Sequence, residues 1–163
     1  MKKAGITVDD RPVISAAKVK AEATGEPAAA MELPDGRIIT GKTSELLGAS
    51  SAMLLNALKT LAGLDDEVLL LTPEIINPIK ELKAKHFGSK NALLHLDEIL
   101  LALSICAVTD EKAKAAMDQL SNLKGSEVHS SVILSQVDVM VFKKLGTNLT
   151  CEPDYQTKKL YHN

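Results

Sequence analysis

The sequence predicts one α/β domain: a three-layer sandwich built on a mixed, mostly parallel sheet with an N-terminal β-hairpin. Three observations predict it. The length, 163 residues, suits a single domain whose core needs no disulfide or metal. Short apolar or β-branched runs alternate with segments of helical period, the pattern of strands crossed by helices. An early Pro34-Asp35-Gly36 tripeptide separates two such runs, as a hairpin turn does.

The elements follow in order. Pro12 to Thr24 has a weak helical period, ended by Gly25, with little to bury alone. Residues 1–27 are therefore read as a linker and helix continuing from an upstream domain. Residues 28–155 are the α/β domain, and 156–163 a basic tail. Ala28 to Leu33 and Arg37 to Thr40 form the hairpin. Ser50 or Ser51 caps a helix carrying Met53, Leu54, Leu58 and Leu61, stopped by Gly63. Glu67 to Leu71 is a continuous apolar run, expected of a strand buried on both faces. Thr72-Pro73-Glu74 starts a helix with an N-cap, a proline at the first position and an early acid. Leu93 to Val108 is apolar almost all round and predicts a central buried helix. Thr109-Asp110-Glu111 opens another helix. Ser131 to Leu134 is a strand, Ser135 to Asp138 a capping box before a helix stopped by Gly146, and Leu149 to Cys151 a last strand.

Composition excludes several activities. With 19 basic and 21 acidic residues and 2% aromatics, the chain has neither the basic face that duplex nucleic acid needs nor a stacking platform for single strands. No apolar run reaches the ~18–20 residues that span a bilayer, and Met1 to Asp10 lacks the apolar core of a signal peptide. Cys106 and Cys151 read as reduced, buried thiols of a cytoplasmic protein.

Gly36-Arg37-Ile38-Ile39-Thr40-Gly41-Lys42-Thr43 fits the phosphate-loop spacing. That loop must leave a strand and enter a helix directly. Here the spacer is β-branched and the next helix starts near Ser50, so the stretch reads as a hairpin whose second strand ends at Gly41. Lys42, Thr43 and Ser44 leave the sheet together and can still hold an anion. The element order also opens like the cytidine-deaminase fold, whose zinc needs a His or Cys before a Glu and a Pro-Cys-x-x-Cys at two helix starts. Gly48-Ala49-Ser50-Ser51 and Thr72-Pro73-Glu74-Ile75 offer no such ligand, so no zinc is expected. His95 precedes Leu96-Asp97-Glu98, an acid pair able to orient an imidazole, although a polar helix entrance accounts for the same residues. His129 adjoins Ser130 and Ser131, but neighbours on a strand point to opposite faces. The ligand-binding candidates are Gly41, Lys42, Thr43, Ser44, His95 and His129.

Four stretches together resemble a known family: Leu33 to Ser44, Leu94 to Leu100, His129 to Ser135 and Cys151 to His162. The chain is similar to the C-terminal part of bacterial proteins grouped as domain of unknown function 1846. The resemblance implies members about three times longer, with an upstream Rossmann-like part and a helical region. It implies a cytidine-deaminase architecture without zinc, and it transfers no catalytic residue. The peptidase label sometimes given to members has no support in these residues. Two functions fit. The first is a non-catalytic module that acts in assembly, with identical copies, or completes an interdomain site. The second is part of a nucleotide- or phosphate-dependent enzyme, the ligand entering through the upstream domain, with Lys42, Thr43 and Ser44 as the anion-binding edge and His95 or His129 as proton carriers.

Overall fold

The computed structural model describes residues 12–44, 47–88 and 93–152. It is an α/β fold. The elements are α1 (Pro12–Thr24), β1 (Ala28–Glu32), β2 (Ile38–Lys42), α2 (Ala49–Ala62), α3 (Pro73–Glu81), α4 (Leu96–Cys106), α5 (Glu111–Met117), β3 (Glu127–Ser130), α6 (Gln136–Lys144) and β4 (Asn148–Cys151). The sheet order is β2-β1-β3-β4.

The sheet is mixed but not mostly parallel. β1 pairs antiparallel with both β2 and β3, and only β3 and β4 run parallel. The missing parallel strand is Glu67 to Leu71, which is not part of the sheet. Leu70 and Leu71 are buried, while Leu69 is 63% exposed. The Lys59 ammonium, on α2, donates to the Asp66 carbonyl at 2.8 Å and to the Val68 carbonyl at 3.1 Å. A buried amine thus satisfies backbone that a neighbouring strand would otherwise have to pair.

Small residues let helices close on the sheet. Along β1 the side chains alternate. Ala29 and Met31 join the large core with Met53, Leu54 and Leu58 of α2. Ala30 packs against Val13, Ile14 and Ala17 of α1. The expectation that α1 has little to bury is thereby corrected: Val13, Ile14 and Ala17 are buried against the sheet, while Val19 on its other side is 61% exposed. At Gly41 of β2 the backbone of α2 comes so close that a Cβ would lie 2.3 Å from the Met53 nitrogen. Glycine is here for close approach, not for phosphate, and Gly36 turns the hairpin at φ +94°. The phosphate-loop pattern lies on a turn and an edge strand.

The local start signals hold in position at α3, with Pro73 and Glu74 in its first turn, although Thr72 makes no side-chain capping bond, and they hold fully at α5, where the Asp110 carboxylate accepts from the Lys112 and Ala113 amides. α2 ends on Gly63 in the left-handed region. Three expectations are corrected. The strand near residue 130 is Glu127–Ser130, and Ser131 instead turns away, its hydroxyl accepting from the Ala28 amide at 2.9 Å. The Leu93 to Val108 stretch is not buried all round: Leu101 and Ile105, four apart on α4, and Val108 in the turn after it are 65%, 72% and 81% exposed. Cys106 and Cys151 are half-buried rather than enclosed.

Gly41→Ala and Gly36→Ala separate these two glycine roles. The Gly41 change drives a methyl into backbone and is expected to cost about 3 kcal/mol or more. The Gly36 change meets open space and costs only the positive φ, about 1–2 kcal/mol. Urea unfolding of both variants measures the difference; equal midpoints would refute the close-approach account.

Candidate functional site

Three helices of 14, 11 and 9 residues, α2, α4 and α6, begin around one cavity of about 70 Å³. It lies beyond the carboxyl ends of β2 and β3, where open α/β sheets place their ligands. Its lining includes Thr43, Gly48 to Ser51, Leu93 to His95, Ser130, Ser135 and Asp138. Room for several waters or one tetrahedral ion follows, given about 10–15 Å³ per water on this scale; the space does not enclose a whole nucleotide.

Hydrogen bonds between distant segments fix these walls. The Ser51 hydroxyl donates to the Leu94 carbonyl at 2.9 Å, tying the start of α2 to the approach of α4. The Thr43 amide donates to the Pro27 carbonyl at 2.9 Å. Lys83, buried, donates to the Leu93 carbonyl at 2.7 Å and to Glu98 Oε1 at 2.8 Å. The same Glu98 oxygen accepts from the His95 amide at 2.8 Å. Glu98 therefore holds the entrance of α4 rather than the imidazole.

Asp138 orients the imidazole. Its carboxylate is buried; Oδ1 accepts from the Leu96 amide at 3.0 Å, and Oδ2 lies 3.6 Å from His95 Nδ1. Ser135 caps α6 by accepting from the Asp138 amide at 3.3 Å. Only half of the expected capping box forms, because the Asp138 carboxylate serves α4 instead of its own helix. His95 stands at the rim with its side chain 41% exposed. The Asp138 carboxylate raises the His95 pKa above the usual imidazole value, against the opposing effect of burial.

Ser50 is the unexpected member. It is 3% exposed, lines the cavity, and its Oγ has no hydrogen-bond partner among the described residues. The N-cap before it, Gly48, supplies no side chain to the first turn of α2. Helix starts leave amides without intrahelical acceptors, so this end of the cavity is rich in donors.

The other candidates fall elsewhere. Thr43 and His95 share the cavity. Gly41 faces α2, Lys42 is exposed one residue on, and Ser44 is exposed, its hydroxyl accepting from the Leu47 amide at 3.2 Å. His129 pairs in register with Ala30 and so lies on the α1 side of the sheet. It is 3% exposed, with Nδ1 2.7 Å from Thr150 Oγ1 and Nε2 2.7 Å from Glu152 Oε2. Both ring nitrogens are taken, and Lys18 stands 3.8 Å from that Glu152 oxygen. In the sequence Ser50 is marked only as a cap and Asp138 only as half of a capping box. Their one shared signal is position: each begins a helix after a strand. Among the described residues, no three His, Cys, Asp or Glu side chains cluster as a metal site would require, and no helix is long and apolar enough to cross a membrane.

The raised His95 pKa fixes a sign. Protonated His95 is favoured in the folded state, so its pairing with Asp138 stabilises fully below the unfolded imidazole pKa and is lost as pH rises through the folded one. Exposure screens the pair, which limits it to below about 1 kcal/mol and to a few degrees of Tm at this length. Thermal unfolding of His95→Gln beside the parent is expected to show the gap near pH 5.5 and its closure in alkaline buffer. A gap that widens with pH would contradict the assignment.

Comparison with known proteins adds the family. Residues 9–161 match the model of the C-terminal region of the domain of unknown function DUF1846. A UPF0371 protein of Corynebacterium glutamicum is 55% identical over 99% of this chain, and a UPF0371 protein of Streptococcus pyogenes serotype M5 is 55% identical over 96%. A Corynebacterium urealyticum UPF0371 protein is 56% identical over 99%. The chain spans about a third, 32%, of the length of each of these curated relatives. With the α/β fold and its cavity at the strand ends, this chain belongs to the DUF1846 C-terminal domain family, a bacterial family with no established activity.

Proposed function

We propose that this chain is the C-terminal module of a longer cytosolic protein, and that its cavity is half of a site completed by the rest of that protein. The carrying observation is the cavity itself. It combines an imidazole oriented by a buried carboxylate, three helix starts and a small volume at a place where α/β sheets bind ligands. A space of about 70 Å³ is too small to enclose a metabolite, so a larger ligand would have to be covered from outside. Two features supply a surface for that cover. Ile133 at the cavity and Val137 and Met140 on the adjoining α6 are exposed, as are Leu101 and Ile105 on α4 and Val108 in the turn that follows it. Such rows usually mark an interaction surface. The length of the relatives supports a partner within the same chain.

The finer fold reading goes with this proposal: helices on both sides of the sheet, as in the three-layer cytidine-deaminase architecture, with helix starts at the active-site edge and no zinc ligands on them. The nucleotide-dependent reading is not carried forward, because the phosphate-loop pattern that suggested it lies on the hairpin turn and an edge strand.

Hydrogen exchange tests the half-site. The segments corresponding to residues 47–51, 93–97 and 131–138 are compared between this chain alone and the full-length Corynebacterium glutamicum relative. Coverage by the remaining two thirds is expected to slow exchange in these segments by about tenfold or more. Equal exchange in the two proteins would defeat the proposal.

A further inference from the structure

Four observations at the cavity point to one ligand chemistry. α2 begins at the cavity wall with a glycine N-cap that gives no side-chain hydrogen bond. α4 and α6 begin around the same space, so the positive ends of three helix dipoles converge there. Ser50 places a hydroxyl, with its residue 3% exposed, at that wall without a partner among the described residues. Buried hydroxyls are ordinarily satisfied, and each exception calls for an explanation. His95 completes the rim with a side chain able to carry positive charge.

We infer that the cavity is a subsite for one small oxyanion, the phosphoryl or carboxylate group of a ligand. Ser50 Oγ and the first-turn amides of α2 donate to it, and the His95 imidazolium faces it. Backbone amides at a helix start bind anions in this way without further machinery. The Asp138 carboxylate does not cancel the site, since its two oxygens are already turned to the Leu96 amide and to His95. The subsite rests on the half-site reading, and the volume sets its scope: one oxyanion group, with the remainder of any larger ligand lying outside.

The test uses this chain and two probes, inorganic phosphate and acetate, each followed by backbone amide chemical shifts and by Tm. Phosphate is expected to move the amides of Ser50, Ser51 and His95 and to raise Tm as a ligand of the folded state does. Acetate acting at the same amides would assign a carboxylate-binding site, and phosphate alone a phosphoryl site; either supports the inference. Ser50→Ala is expected to weaken the bound anion by about tenfold or more. Without the anion this variant should be at least as stable as the parent, because it removes a buried hydroxyl that has no partner. His95→Gln, which keeps the fold by leaving the Lys83–Glu98 bonds in place, should weaken binding several-fold. Absence of shifts with both probes would overturn the inference. So would unchanged affinity in Ser50→Ala, or a loss of stability in that variant without anion. Such failure leaves the exchange comparison with the longer relative standing, so the two readings fall separately.

Discussion

The seating of α2 on β2 is the contact from which the rest of the structure follows. Strand and helix approach so closely at Gly41 and Met53 that no side chain fits between their backbones. The alanines of β1 extend the same closeness on both faces, with Ala29 under α2 and Ala30 under α1. Close packing of this kind leaves a helix little freedom to slide or rotate. The start of α2, Gly48 to Ser51, is thereby fixed beside the exit of β2 and the end of β3. The cavity is a consequence of that placement. A larger residue at position 41 would lift the helix and open the wall that Ser50 and Ser51 form.

The remaining walls are held by polar groups rather than by packing. Lys83, Glu98 and Asp138 all approach the entrance of α4, and each bonds to backbone there: the Leu93 carbonyl, the His95 amide and the Leu96 amide. Burying charge is costly unless each group finds partners, and a fully bonded network is correspondingly stiff. The network positions His95 from its own main chain, leaving the imidazole to meet Asp138. The contrast with His129 is instructive. That ring is more deeply buried and closer to its partners, yet with both nitrogens bonded it serves as a brace between β3, β4 and the residue after β4. His95 has one nitrogen facing Asp138 and a partly exposed ring, which suits a group that meets something outside the domain.

Local chemistry was legible in the sequence, and relations between distant segments were not. Thr72-Pro73, Asp110, Ser135, Gly63 and the Pro34-Asp35-Gly36 turn act within a few residues, so their signals survive without the fold. Glu67 to Leu71 looked like a strand because its apolar run satisfies that pattern. Its backbone is satisfied instead by Lys59, from a helix whose sequence gives no sign of reaching there. α4 looked enclosed because every turn is apolar, although apolar composition does not say which side is covered. The acids nearest His95 in sequence, Asp97 and Glu98, are the ones that local chemistry offers to orient it. The orienting acid comes from α6, and the Leu96–Asp138 bond spans 42 residues. Thr43 and His95 could be picked from the sequence as candidates, but that they share a cavity depends on the sheet order.

An unbonded hydroxyl does not by itself define a site, and this chain holds a control. Ser126 Oγ is buried and also lacks a partner among the described residues. Its amide donates to the Leu123 carbonyl and its carbonyl accepts from the Asn148 amide, so it is a backbone joint between the turn before β3 and the start of β4. It does not line the cavity at the helix starts. The cost of burying an unpaired hydroxyl, about 1–3 kcal/mol, is the same at both positions. What differs is the surroundings: at Ser50 a space for a guest, uncapped helical amides and an ionisable ring coincide, while at Ser126 the hydroxyl is incidental to a strand junction. Removing the hydroxyl at Ser126 therefore bears on stability alone, whereas at Ser50 the gain in stability is coupled to the loss of a ligand contact.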